Sequence, residues 1–164
     1  MKVAIIGAGN MGGSIACGLA KGKLIRASDI IVSNPSIGKL EALKKEFPSI
    51  AITRNNAEAA TGADIVILAV KPWLIRGVLR EMKLRSKQIL VSVAAGISFE
   101  QLAHDVVEPE MPMFRIVPNT AISELQSMTL IASRNAGQEL EALMVNLFSE
   151  MGMAMILPED KLEA

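Results

Sequence analysis

Residues 4 to 15 read Ala-Ile-Ile-Gly-Ala-Gly-Asn-Met-Gly-Gly-Ser-Ile, a glycine-rich turn between an apolar run and a helix-patterned one, near the start of the chain. Lys2-Val3-Ala4-Ile5-Ile6 has the continuous apolar character of a buried strand, and Ile15, Ala16 and Leu19 fall at helical spacing before Gly22. A strand that passes straight into a helix through Gly7, Gly9 and Gly12 predicts a dinucleotide site. Gly7 permits the tight turn, Gly9 lets backbone approach a pyrophosphate, and Gly12 lets the helix lie close to the strand. The helix start adds free N–H groups and partial positive charge for phosphate.

The same alternation continues. Strands are expected at 29–33, 50–53, 64–70 and 88–93, and helices over 39–47, 57–60, 72–82 and 98–107, the last opened by the capping-box pair Ser98 and Gln101. Beyond the proline-punctuated loop at 108–112 come strands at 113–117, 128–132 and 154–157, with a helix over 138–151 between the last two. Asp64 to Val70 is apolar from Ile65 onward and suits the centre of a parallel sheet covered on both faces. The pattern predicts an α/β fold of Rossmann type: a doubly wound, mostly parallel sheet of about eight strands, with ligand beyond the carboxyl ends of the strands.

With 164 residues the chain is expected to form one domain, 1–164, and residues 158–164 read as the opening turn of a further helix, leading to a segment beyond the chain. Lys plus Arg and Asp plus Glu both total 17, which leaves no basic surplus for nucleic acid. Hydrophobic residues make up 51% but lie in short runs, well below the roughly 18 to 20 needed for a membrane span, so no membrane partner and a cytoplasmic location are expected. Cys17 is the only cysteine and His104 the only histidine, which excludes an internal disulfide, a cysteine-rich metal site and a Ser/His/Asp or Cys/His constellation. Cys17 reads as a small core residue and His104, mid-helix beside Asp105, as a surface group. No catalytic residue and no metal are assigned; hydride transfer would place the hard step on the cofactor.

The second strand ends in Ser33-Asn34-Pro35-Ser36 rather than in the acid that accepts a ribose 2′-hydroxyl in NAD sites. Short polar groups, a helix start and Lys39 one turn on suit a 2′-phosphate, so NADP is favoured, with NAD as the alternative. Ser36 can also act as the helix cap. Ala69-Val70-Lys71-Pro72, at the end of the central strand, is expected near the nicotinamide end, and Ala94-Ala95-Gly96 offers a backbone wall for a flat ring. Packing is the expected role of Trp73.

Taken together, Ile5 to Gly12, Ala69-Val70-Lys71-Pro72, Val91 to Ser98 and Arg115-Ile116-Val117-Pro118-Asn119-Thr120 resemble pyrroline-5-carboxylate reductases in order and spacing. The resemblance implies NAD(P)H-dependent reduction of the C=N bond of 1-pyrroline-5-carboxylate to L-proline, a step of amino-acid biosynthesis. It carries cofactor binding onto Gly7, Ala8, Gly9, Asn10, Met11, Gly12, Ser33, Asn34, Pro35, Ser36 and Asn56, the last against the adenosine. Ala69, Val70, Lys71, Pro72, Ala94, Ala95 and Gly96 would flank the nicotinamide, and Asn119 and Thr120 would lie near the substrate. Two departures stand out: Ala121 replaces the family's proline, and Glu124-Leu125-Gln126-Ser127 carries no glycine. The family also has a helical second domain that supplies most of the substrate pocket and the dimer. This chain is therefore expected to be the cofactor-binding part, inactive alone and monomeric or weakly associated, of an enzyme that is a homodimer or higher oligomer with a small-molecule substrate. The alternatives are a non-catalytic NADP-binding module and another NADP-dependent reductase, of the deazaflavin or β-hydroxy-acid type.

Overall fold

In the computed structural model, residues 1–118 and 120–162 are described, apart from the side chains of Thr120 and Ala121. Eight strands form one sheet: β1 (Val3–Ile6), β2 (Ile30–Ser33), β3 (Ala51–Thr53), β4 (Ile65–Leu68), β5 (Ile89–Ser92), β6 (Met113–Val117), β7 (Ser127–Arg134) and β8 (Gly152–Ile156). Their order is β3-β2-β1-β4-β5-β6-β7-β8, and all neighbours are parallel except β6 and β7. The doubly wound, mostly parallel sheet expected from the sequence is thus the fold.

Strand alternation builds two cores. Val3 and Ile5 face one side and pack with Ile15, Ala16 and Leu19 of α1 (Asn10–Lys21), Leu40 and Leu43 of α2 (Ile37–Glu46), and Leu147 and Phe148 of α6 (Gln138–Ser149). Ala4 and Ile6 face the other, against Ala59 and Ala60 of α3 (Asn56–Ala60), Leu79 of α4 (Ile75–Met82), and Phe99 and Leu102 of α5 (Phe99–Asp105). Every residue of β1, β4 and β5 is buried, the mark of strands covered on both faces.

Several boundaries differ from the sequence pattern for local reasons. Asp29 belongs to a 3-10 turn over Ala27–Asp29, closed by its N–H on Arg26 O at 2.8 Å, so β2 starts one residue later than expected. The helix expected from Pro72 opens as a 3-10 turn, Pro72–Leu74, before α4 begins. Thr120–Glu124 forms a 3-10 turn, which the apolar periodicity did not announce. The capping box at α5 is formed, with Ser98 Oγ accepting from Gln101 N–H at 3.2 Å and Gln101 Oε1 accepting from Ser98 N–H at 2.8 Å. Glu159–Lys161 makes a 3-10 turn that returns Leu162 to the core beside α5.

Candidate functional site

Chain direction reverses its lateral sense at β1, which has β2 on one side and β4 on the other. The parallel ladders extend into the loops there: Gly7 N–H donates to Ser33 O at 2.8 Å, Ala69 N–H to Ile6 O at 2.8 Å, Val93 N–H to Leu68 O at 3.1 Å, and Asn34 N–H to Thr53 O at 3.2 Å. Four loops far apart in sequence therefore leave the sheet side by side, at the topological switch point where such sheets bind ligands.

Between them lies a cleft of about 540 Å³. Its walls take Gly7, Gly9, Asn10, Met11, Asn34, Ala69, Val70, Lys71, Pro72, Ala94 and Ala95 from the residues expected to hold cofactor, and add Lys39, Leu74 and Val93. Ala8 and Gly12 are buried beneath the glycine turn. Gly96 has φ +75 and turns the chain out of β5 toward α5.

The three glycines differ in what surrounds them. Gly7 sits at φ +107, and a Cβ there would stand 2.5 Å from Ala69 O. A Cβ on Gly12 would collide with the Gly7 carbonyl. Gly9 is different: a Cβ there would meet nothing within 4 Å, so its backbone faces open cleft rather than protein. Gly9 is also the N-cap of α1, with no side chain capping the helix. The first-turn N–H groups thus border a space that a side chain would fill, the kind of bare helix start that can hold an anionic group.

The second polar loop is tied to the first. Asn34 Oδ1 accepts from Ala8 N–H at 3.0 Å, while its Nδ2 donates to Ser36 O at 3.1 Å. Ser33 is fully buried, and its Oγ donates to Asn56 Oδ1 at 2.7 Å. Ser33 is placed to orient Asn56, not to face the cleft. Ser36 occupies the N-cap position of α2 without making the side-chain cap; its Oγ lies 3.4 Å from Asn34 Nδ2 instead. Pro35 O accepts from Arg54 Nε at 2.8 Å. Arg54 follows β3 and was not among the expected site residues, because only the fold brings it against the β2 loop.

Elsewhere, Ser92 at the end of β5 pairs in register with Arg115 of β6. Arg115 is buried and donates from Nη1 to Glu159 Oε2 at 3.0 Å, and the same oxygen accepts from Phe99 N–H at 2.8 Å. Asn119 lies outside the described residues, as does the Thr120 side chain, whose backbone opens the 3-10 turn. His104 is exposed, 3.3 Å from Asp105, and lines a separate groove between α4 and α5 with Trp73. Trp73 is 76% exposed, so the packing role expected for it is not met. Burial is the main cause that pushes the Cys17 thiol above its ordinary pKa. Among the described residues no helix is long and apolar enough to cross a membrane.

A mostly parallel sheet whose switch-point cleft is floored by a glycine turn and a bare helix N-terminus has the architecture of a dinucleotide-binding domain. The chain belongs to the family described as "NADP oxidoreductase coenzyme F420-dependent", whose model matches residues 2–96. Over its whole length it is similar to pyrroline-5-carboxylate reductases. It is 32% identical to pyrroline-5-carboxylate reductase 3 of Danio rerio, over 100% of this chain and 57% of that protein. The solved pyrroline-5-carboxylate reductase of Coxiella burnetii superposes with a TM-score of 0.89 at 27% identity, over 99% of this chain and 61% of that one. The Plasmodium falciparum pyrroline carboxylate reductase, solved with NADP bound, shares the fold with a TM-score of 0.88 at 24% identity, over 99% and 60%. The chain thus spans about three fifths of the length of these relatives.

Proposed function

We propose that this chain is the cofactor-binding part of a pyrroline-5-carboxylate reductase, holding NADPH in preference to NADH. The observation that carries the reading is the similarity to reductases of that name across all of this chain, past the point at Gly96 where the broader family model stops. Gly9 and the first turn of α1 would hold the pyrophosphate, Asn34 and Asn56 the adenosine side, and Ala69 to Pro72 with Ala94 and Ala95 the nicotinamide side. Bound there, the nicotinamide would supply a hydride for a C=N carbon. The chain's own residues orient the ring: Ala94 and Ala95 are short enough to let it lie flat, and Lys71 can meet ribose or phosphate. Asn119 and Thr120 are assigned to the substrate side on the resemblance of Arg115 to Thr120.

The whole enzyme would act as a homodimer or larger assembly on a small cyclic imine, in the cytoplasm, with this part inactive alone. Exposed Met128, Met153 and Met155 are apolar surface consistent with weak association. A second reading, an NADP reductase of the deazaflavin type, has the family description in its favour, although that match ends before β6. The test is a chimera in which this chain replaces the corresponding part of the Coxiella burnetii relative. NADPH oxidation that requires 1-pyrroline-5-carboxylate, absent from the chain alone, is the expected result. A folded chimera that binds NADPH and ignores that imine would contradict the substrate assignment.

A further inference from the structure

We infer that Arg54 is the residue that discriminates NADPH from NADH, by binding the 2′-phosphate from outside the loop that would otherwise be credited with it. The inference rests on the cofactor reading above. Within the Ser33–Ser36 loop the polar groups are largely engaged. The Ser33 hydroxyl is buried against Asn56, and the Asn34 side chain is spent on Ala8 N–H and on Ser36. What the loop lacks is a fixed positive charge.

Arg54 supplies one. It stands just past Thr53, the last residue of β3, and β3 pairs with β2 in the register Ser33↔Thr53, so the two loops leave the sheet together. Its Nε donates to Pro35 O at 2.8 Å, which anchors the guanidinium against the backbone of the β2 loop while the side chain stays exposed. Only one of its nitrogens is used in this anchor, leaving the Nη pair, the fork that grips phosphate oxygens. Among the described residues no carboxylate pairs with Arg54. Lys39 stands on the cleft side of the same loop. No acid ends β2, where it would repel a phosphate. A 2′-phosphate would therefore meet Lys39 on one side and Arg54, already positioned, on the other.

The experiment is calorimetric titration of the chain with NADPH and with NADH, for wild type, Arg54→Ala, Arg54→Lys and the control Lys45→Ala at the far end of α2. Arg54→Ala should weaken NADPH by about tenfold and NADH by less than about twofold. Arg54→Lys should recover only part of the loss, since it keeps the charge without the fork or the Nε anchor, and Lys45→Ala should change neither affinity. The NADPH advantage of wild type should also shrink as salt is raised. Equal losses for both nucleotides, or none, would overturn the role of Arg54 while leaving the cofactor site intact. If wild type binds neither nucleotide, the cofactor reading itself fails, and this inference falls with it.

Discussion

The centre of the sheet and its β8 end are built differently. Around β1, β4 and β5 every strand residue is buried and both faces carry helices, so the only way to expose function is at the strand ends, where the loops converge. At the β8 end β6 and β7 run antiparallel and β8 is an edge strand, with Met153 69% exposed and in register with exposed Met128. Ala154 packs into the core on one face, while Met153 and Met155 on the other have no helix over them among the described residues. The parallel half concentrates constraint at a cleft. The antiparallel half is a platform tied to the start of α5 through Glu159, which pairs with Arg115 and accepts from the Phe99 N–H.

Glycine substitutions separate the two halves most sharply. Gly12→Ala should cost about 3 kcal/mol of unfolding free energy, because the collision is with backbone that cannot turn aside, and it should impair nucleotide binding as well. Gly152→Ala, at φ +134 and against Ser127 backbone, should cost a comparable amount, yet the folded fraction should bind NADPH as wild type does. Denaturant titration and calorimetry on each variant check both statements; a Gly152→Ala protein that folds but loses nucleotide would erase the distinction between the halves.

Next in size is the link between them. Glu159→Ala removes the 3.0 Å contact to the Arg115 side chain, which is 7% exposed, and frees the Phe99 N–H at the start of α5. A loss of about 2 kcal/mol is expected, below that of a fully buried pair because Glu159 is itself 37% exposed. No change in thermal midpoint would mean that this latch is idle.

A smaller effect depends on pH. Hydrogen bonds from Ser86 are the largest cause that holds the Glu108 carboxyl below its ordinary value of 4.5. A carboxylate depressed in the folded state adds stability above its ordinary value and loses it as pH falls through the folded one. Glu108→Gln should therefore flatten the acid limb of the stability profile between those values and leave the neutral limb parallel to wild type. An unchanged acid limb would count against the Ser86 contact.

The smallest effect is chemical: with its thiol raised by burial, Cys17 should react with iodoacetamide more slowly than a free cysteine at the same pH. Labelling at the free rate would place the thiol in solvent.

Much of the parallel half was legible beforehand, because Ile5 to Gly12 carries both its strand-to-helix pattern and its backbone demands in contiguous residues. The capping box of α5 was legible for the same reason. Contacts closed by the fold were not. Arg54 reaches Pro35 across 19 positions and Asn34 reaches Ala8 across 26, and neither hydrogen bond leaves a periodic trace. Ser36 has the residue type of a cap and the backbone of one, yet its hydroxyl is within reach of Asn34, a local competition that residue type cannot foretell. β7 and β8 start ahead of the apolar runs that mark them in the sequence. Ser127 reads as a turn residue, and Gly152 reads as a breaker, although its close approach to Ser127 is what lets the two strands meet.

In the proposed reading, the space above Gly9 exists for a nucleotide and not for packing. Gly9 has an ordinary φ of −72 and an empty Cβ position, so a valine there should fold normally. We would titrate Gly9→Val and wild type with NADPH by calorimetry, with thermal unfolding of both in parallel. Wild type should bind one nucleotide per chain, and Gly9→Val should keep its unfolding midpoint and lose measurable binding. A Gly9→Val protein that binds NADPH as tightly as wild type would contradict the account.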